Sequence, residues 1–104
     1  MKILSEPAVF EWDKGNREKN YEKHEVASKE AEGVFDNPQR FFFKDEKHSA
    51  IEQRYGLYGK TDKNRELAIV FTIRKDKIRI ITARDMSGKE RRVYEEQVKN
   101  NSKF

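Results

Sequence analysis

The sequence contains no cysteine, and only two of its 104 residues are histidine. The first absence excludes a disulfide framework and a thiolate zinc site, and the second leaves too few imidazoles for a structural metal cluster. Neither a metal nor another cofactor is expected. Long hydrophobic runs are missing as well. The apolar stretch in MKILSEPAVFEWDKG at the N-terminus is too short and interrupted for a signal peptide or a membrane span, so the cytoplasm is the expected compartment and a membrane is not an expected partner. There is no Gly-rich phosphate loop, no paired-histidine metal motif and no Ser/His/Asp arrangement that spacing singles out. Without an internal repeat, linker or low-complexity tract, residues 1–104 are expected to form one domain.

What the chain has instead is charge. Charged residues make up 40% and hydrophobic residues 35%, so the core must be thin, as when helices cover one face of an antiparallel sheet and leave the other open. The expected class is α+β. The net charge of +4 is unevenly spread: residues 1–73 hold 13 Lys and Arg against 14 Asp and Glu, whereas residues 74–104 hold 10 against 5. A positive C-terminal third attracts phosphates or an acidic protein partner.

Periodicity and punctuation give the elements. Val9 to Trp12 reads as a short strand ending at Asp13, which suits an N-cap for the charged segment DKGNREKNYEKH, a solvated helix or helical turn. Ser28 opens a second helix, SKEAEGVFDNP, with Ala31, Val34 and Phe35 as its buried stripe and Asn37-Pro38 as its stop. Phe41 to Phe43 begins a sheet that continues from about Ile51 to Gly59, from Glu66 to Arg74 and from Ile78 to Arg84, an antiparallel meander joined by short polar turns. Ser87 with Glu90 is a capping box that opens the C-terminal helix.

Three groups of residues could carry chemistry. Glu52 and Arg54 are two apart on the expected strand and so share a sheet face. If the last hairpin loop is Asp76-Lys77, Arg74 lies directly across from Arg79; a three-residue loop breaks that register, and Asp-Lys is not a favoured turn. Arg84 ends the last strand, and Arg91 and Arg92 lie near the start of the following helix, where cations oppose the dipole; a bound phosphate or carboxylate partner explains them, as does a solvated basic face. Tyr94 is either a stacking platform for a base or core. His24 is an acid/base candidate or a cap of helix carbonyls, and His48 an acid/base candidate or a turn residue.

The residues also resemble the BrnT family of type II toxins along most of the chain. The match runs through Phe10-Glu11-Trp12-Asp13, Asn20 with Lys23-His24, Glu30-Ala31, Val34-Phe35-Asp36 with Pro38, His48-Ser49 with Glu52 and Arg54, Gly59, Thr72-x-Arg74, Arg79, Ile81-Thr82-Ala83-Arg84, and Glu90-Arg91-Arg92-x-Tyr94-Glu95. Departures fall near the first loop: Glu25 stands where the family usually has glycine, Ala27-Ser28 replaces Ser-Phe, and Asn37 shifts the Asp-Pro pattern. The resemblance implies a RelE-like fold, cleavage of RNA that stops translation, with or without the ribosome, and a BrnA-type antitoxin whose dimeric DNA-binding part represses the operon. DNA would then be met only through the antitoxin, in a hetero-oligomer. It further implies a site drawn from Lys23, Glu52, Arg54, Arg74, Arg79, Arg84, Arg91 and Arg92. In a metal-independent attack by the 2′-hydroxyl, Glu52 held by Arg54 would be the base, Arg74 and Arg79 the phosphate clamp, and Lys23 or His24 the source of the leaving-group proton. Arg84, Arg91, Arg92, Tyr94, His24 and His48 would contact RNA. The other classes that fit the composition are a non-catalytic basic module binding RNA or DNA, and a purely protein-binding subunit.

Overall fold

The computed structural model describes residues 9–45 and 52–101. Its elements are β1 (Phe10–Glu11), α1 (Lys14–His24), α2 (Ser28–Val34), β2 (Arg40–Lys44), β3 (Tyr55–Lys60), β4 (Glu66–Arg74), β5 (Lys77–Asp85) and α3 (Gly88–Asn101). This is the α+β class that the sequence implies. The five strands form one sheet in the order β1-β5-β4-β3-β2, antiparallel throughout except for β1, which pairs parallel to β5 and was not part of the expected meander.

Alternation sorts the strands into two faces. One face carries Phe42, Leu57, Ile69, Phe71, Ile78, Ile80 and Ala83, and α2 closes over it with Ala31, Val34 and Phe35 to make the main core. Gly59 lies beneath α2, where a Cβ would press to 2.5 Å from Val34 Cγ1. The other face is not wholly open, as expected from composition. Its far end is covered by α3, whose Tyr94 and Val98 pack with Ala68, Met86 and Tyr58 in a second, smaller cluster.

Two local features set which residues reach the open part of that face. The β4–β5 loop is Lys75-Asp76, with φ of 49° and 65°, so both residues sit in the left-handed region that a two-residue primed turn requires. Arg74 therefore pairs with Lys77, and Arg79 lies across from Thr72. The expected Arg74–Arg79 pairing is corrected by a loop one residue earlier than Asp76-Lys77. Further along, pairing passes from Phe71↔Ile80 to Val70↔Thr82, which makes Ile81 the extra residue of a bulge. The bulge switches parity, so Arg79 before it and Thr82 and Arg84 after it share the face opposite the main core.

Helix α1 runs beside the exposed edge of β5. Asn16 Nδ2 donates to the carbonyls of Ile80 and Ile81 at 3.0 and 2.8 Å, and the Asn20 side chain accepts from the Ala83 amide at 2.9 Å. These two asparagines, one helical turn apart, replace the strand partner that β1 is too short to supply. Asp13 caps the helix as expected, accepting from the Asn16 amide at 3.1 Å.

Candidate RNA-binding face

The register lays the open face out in rows. Thr72 and Arg79 form one; Phe43, Gly56, Val70 and Thr82 the next; Phe41, Tyr58, Ala68 and Arg84 the third, against which α3 rests. Neighbouring rows are two residues apart along a strand, about 6–7 Å.

Glu52 and Arg54 do not lie on a strand, because β3 begins only at Tyr55. Gln53 between them gives its carbonyl to the buried Thr72 hydroxyl at 2.8 Å, which ties this segment to the first row. Arg74, which was not the expected holder, forks onto Glu52: its Nε and Nη2 each donate to one carboxylate oxygen at 3.0 Å. The fork geometry is the bidentate arrangement guanidinium and carboxylate favour. The hydrogen bonds from Arg74 lead in keeping the Glu52 carboxyl below its ordinary range, with further positive potential from Arg54 and Arg79. Three guanidiniums therefore favour the ionised form of one carboxylate. Arg79 itself stands 3.6 Å from both Glu11 and Asp13, brought there by the β1–β5 pairing and the start of α1.

At the other end, Arg84 forks onto Glu90 at 2.6 and 2.8 Å. The same carboxylate accepts from the Ser87 amide at 2.8 Å while the Ser87 hydroxyl accepts from the Glu90 amide at 3.2 Å, which completes the expected capping box. These bonds, with Arg84 first, pull the Glu90 carboxyl down to about 2. Arg91 pairs with Glu66 of β4 at 2.7 Å, so β4 supplies an anion for this helix-start arginine, and Arg92 is exposed. Tyr94 is 1% exposed and donates to the Gln39 carbonyl at 2.8 Å; burial pushes its phenol up to about 12. It is core, and a buried ring offers no face to a base.

Lys23 and His24 are not across from Arg74 and Arg79. With Asn16 beside Ile80 and Asn20 beside Ala83, the end of α1 falls near Arg84 and Asp85, whose charges act on His24; burial, Lys23 and Arg84 lower its pKa. The His24 carbonyl accepts from Arg65 at 3.1 Å. Arg65 was not singled out by sequence. It also donates to the Glu25 carbonyl and forks onto Asp85, stapling the α1–α2 loop to the sheet. His48 lies outside the described residues. Among the described residues, no group of three or more His, Asp and Glu side chains is placed to hold a metal ion, and no helix is long and apolar enough to cross a membrane.

The open face thus sets arginines against carboxylates: Arg74 with Glu52, Arg79 with Glu11 and Asp13, and Arg84 with Glu90. Over residues 12–90 the sequence matches the family described as the ribonuclease toxin, BrnT, of type II toxin-antitoxin systems, and the chain belongs to that family. The match covers Glu52, Arg54, Arg74, Arg79 and Arg84 and ends at Glu90, before Arg91, Arg92 and Tyr94. No curated protein matches the chain significantly.

Proposed function

We propose that this protein arrests translation as a metal-independent endoribonuclease of the mRNA-interferase kind, and that a BrnA-like antitoxin neutralises it in the cytoplasm. The observation that carries the reading is the Glu52–Arg74 fork beside Arg79 on the uncovered part of the sheet. RNA presents phosphates to the guanidiniums and a 2′-hydroxyl to the carboxylate. The Glu52 carboxylate, kept ionised by its neighbours, takes the 2′-hydroxyl proton; the 2′-oxygen bonds to phosphorus, the bond to the 5′-oxygen breaks, and that oxygen takes a proton from water. Arg74 and Arg79 carry the charge that builds on the phosphoryl oxygens. Guanidiniums stay protonated at any physiological pH, so their contribution is electrostatic rather than proton transfer. Arg54 adds to the field at Glu52, and Lys23 and Arg84 extend the positive strip along β5 toward α3, with His24 a largely neutral imidazole between them. Arg92 is an exposed cation available to RNA or to an acidic antitoxin.

The test is induction in cells, followed by mapping of RNA 5′ ends, and incubation of purified protein with RNA in EDTA. Wild type is expected to produce fragments with 5′-hydroxyl and 2′,3′-cyclic phosphate ends, with or without EDTA once any ribosome requirement is met. Arg79→Ala and Glu52→Gln are expected to keep their circular dichroism and melting behaviour and to lose cleavage by at least 100-fold, on the order of 2.7 kcal/mol at the transition state. A folded Arg79→Ala protein that still cleaves at the wild-type rate rules out the clamp.

A further inference from the structure

A groove of about 430 Å³ lies on the open face between the Thr72–Arg79 row and α3. That volume falls within the roughly 300–1,000 Å³ of small-ligand pockets. Its floor is Ala68, Val70 and Thr82, with Phe43 and Tyr58 beside them, and the Tyr58 hydroxyl donates to Glu90 in the N-terminal turn of α3 at 3.5 Å. The two rings meet edge to face, centroids 4.9 Å apart at 65°, and Phe41 stands behind both at 5.6 and 6.3 Å. Phe43 lies directly over its cross-strand partner Gly56; a Cβ at that position would fall inside the ring. Glycine there lets an aromatic ring lie down on the sheet, and the result is a half-buried platform on a face otherwise given to charge.

We propose that this groove is a nucleobase subsite in which Phe43 and Tyr58 hold one unpaired base of the RNA, next to the phosphate gripped by Arg74 and Arg79. The inference rests on the reading of the face as an RNA surface and adds what that reading leaves undefined, the group that would fix register at the cut. The occupant is argued from the surroundings. The groove lies one row from Arg79 and is lined by Arg84 and Lys89, set against Asp45 and Glu90, so an occupant with anionic groups along it and a flat apolar portion between them fits once it displaces those carboxylates from the cations. Single-stranded RNA has that composition, and every base has a π-face that an aromatic platform accepts. An apolar side chain of a protein partner would match the floor but not the guanidiniums on both flanks.

Binding of short single-stranded oligoribonucleotides to the full-length Glu52→Gln protein, which leaves the RNA intact, tests this directly. One abasic position is moved along the oligonucleotide. Removal of the base at one position is expected to weaken binding roughly tenfold, as loss of one base–aromatic stack does, and this penalty is expected to vanish when Phe43→Leu is added. Phe43→Trp is expected to restore the penalty, and the indole emission it adds to that of Trp12 to be quenched by the intact oligonucleotide more than by the abasic one, relative to the parent protein with Trp12 alone. Equal penalties with and without the Phe43→Leu substitution, or no position-dependent penalty at all, overturn the subsite, as does a Phe43→Leu protein whose only defect is weaker binding of a protein partner. If Phe43→Leu fails to fold, the tryptophan quenching decides alone: the same emission with both oligonucleotides overturns it. The broader reading fails on a separate observation, absence of RNA cleavage by wild type.

Discussion

At the scale of single residues, Glu25 is the clearest case of a position whose chemistry and geometry disagree. It terminates α1 with φ of 55°, the left-handed conformation in which a Cβ is strained and glycine is the usual solution. That is the physical reason for the glycine that the family resemblance leads one to expect there. The loop stays in place because Arg65 donates to the carbonyls of His24 and Glu25 and to Asp85. Glu25→Gly is therefore expected to raise unfolding stability by about 1 kcal/mol without altering RNA cleavage, as measured by urea titration. Unchanged or lower stability would show that the glutamate side chain contributes something that offsets the strain. Tyr94 shows the opposite situation. Its role as core was one of two readings of the sequence, and only the position of the Gln39 carbonyl beneath α3 chose between them.

At the scale of elements, one carboxylate joins the last strand to the last helix. Glu90 caps α3 through Ser87 and anchors Arg84 of β5, so strand, turn and helix share a charge network. Its folded pKa, about 2, lies below the ordinary 4.5. A depressed carboxyl stabilises the fold above its unfolded pKa, and that stability is lost as pH falls toward the folded value. Stability is expected to drop between pH 4.5 and 2 and to drop less in Glu90→Gln. Because Arg84 is 41% exposed, solvent screening limits the effect to about 1 kcal/mol. Urea unfolding at pH 5 and pH 3 measures it; parallel losses in the two proteins would remove Glu90 as the cause. The capping box was legible from Ser87 and Glu90 three apart, whereas the fork to Arg84 depends on how the chain turns at Met86. The hairpin loop was less legible: Lys75 and Asp76 are both in left-handed backbone, a geometry their residue types do not announce.

At the scale of the whole molecule, the excess of positive charge in the last third of the sequence becomes a strip along β4, β5 and the start of α3. Every arginine of the strip discussed at close range faces a carboxylate of the same chain: Arg74 faces Glu52, Arg79 faces Glu11 and Asp13, Arg84 faces Glu90 and Arg91 faces Glu66. On the proposed reading, RNA phosphates would compete with these carboxylates, which would favour dissociable binding over tight capture. If Arg74, Arg79 and Arg84 each take one phosphate, the affinity of Glu52→Gln protein for a single-stranded oligoribonucleotide should fall with salt at a log–log slope of roughly −2, about −0.7 per contact. Arg79→Ala should flatten that slope by roughly one contact's worth. A slope near zero would remove the phosphates from the account.

The sequence by itself determined the class, the order of elements, the capped start of α3 and the concentration of positive charge, because propensity, period and composition act over a few neighbouring residues. The family pattern offered Glu52, Arg54, Arg74, Arg79 and Lys23 as catalytic candidates, of which the fold joins Glu52 to Arg74 and leaves Lys23 at the far end of β5. Only the tertiary structure decided who holds whom. A loop placed one residue earlier set Thr72 opposite Arg79, and a single bulge at Ile81 kept Arg84 on the same face as Arg79. The side chains of Asn16 and Asn20 fixed α1 so that Lys23 and His24 fell at the wrong end of β5 for a role beside Arg74. Register and parity depend on cross-strand pairing around a loop whose residue types do not announce its geometry, and docking of α1 on contacts between residues 60 or more apart in the chain, so no local pattern records them.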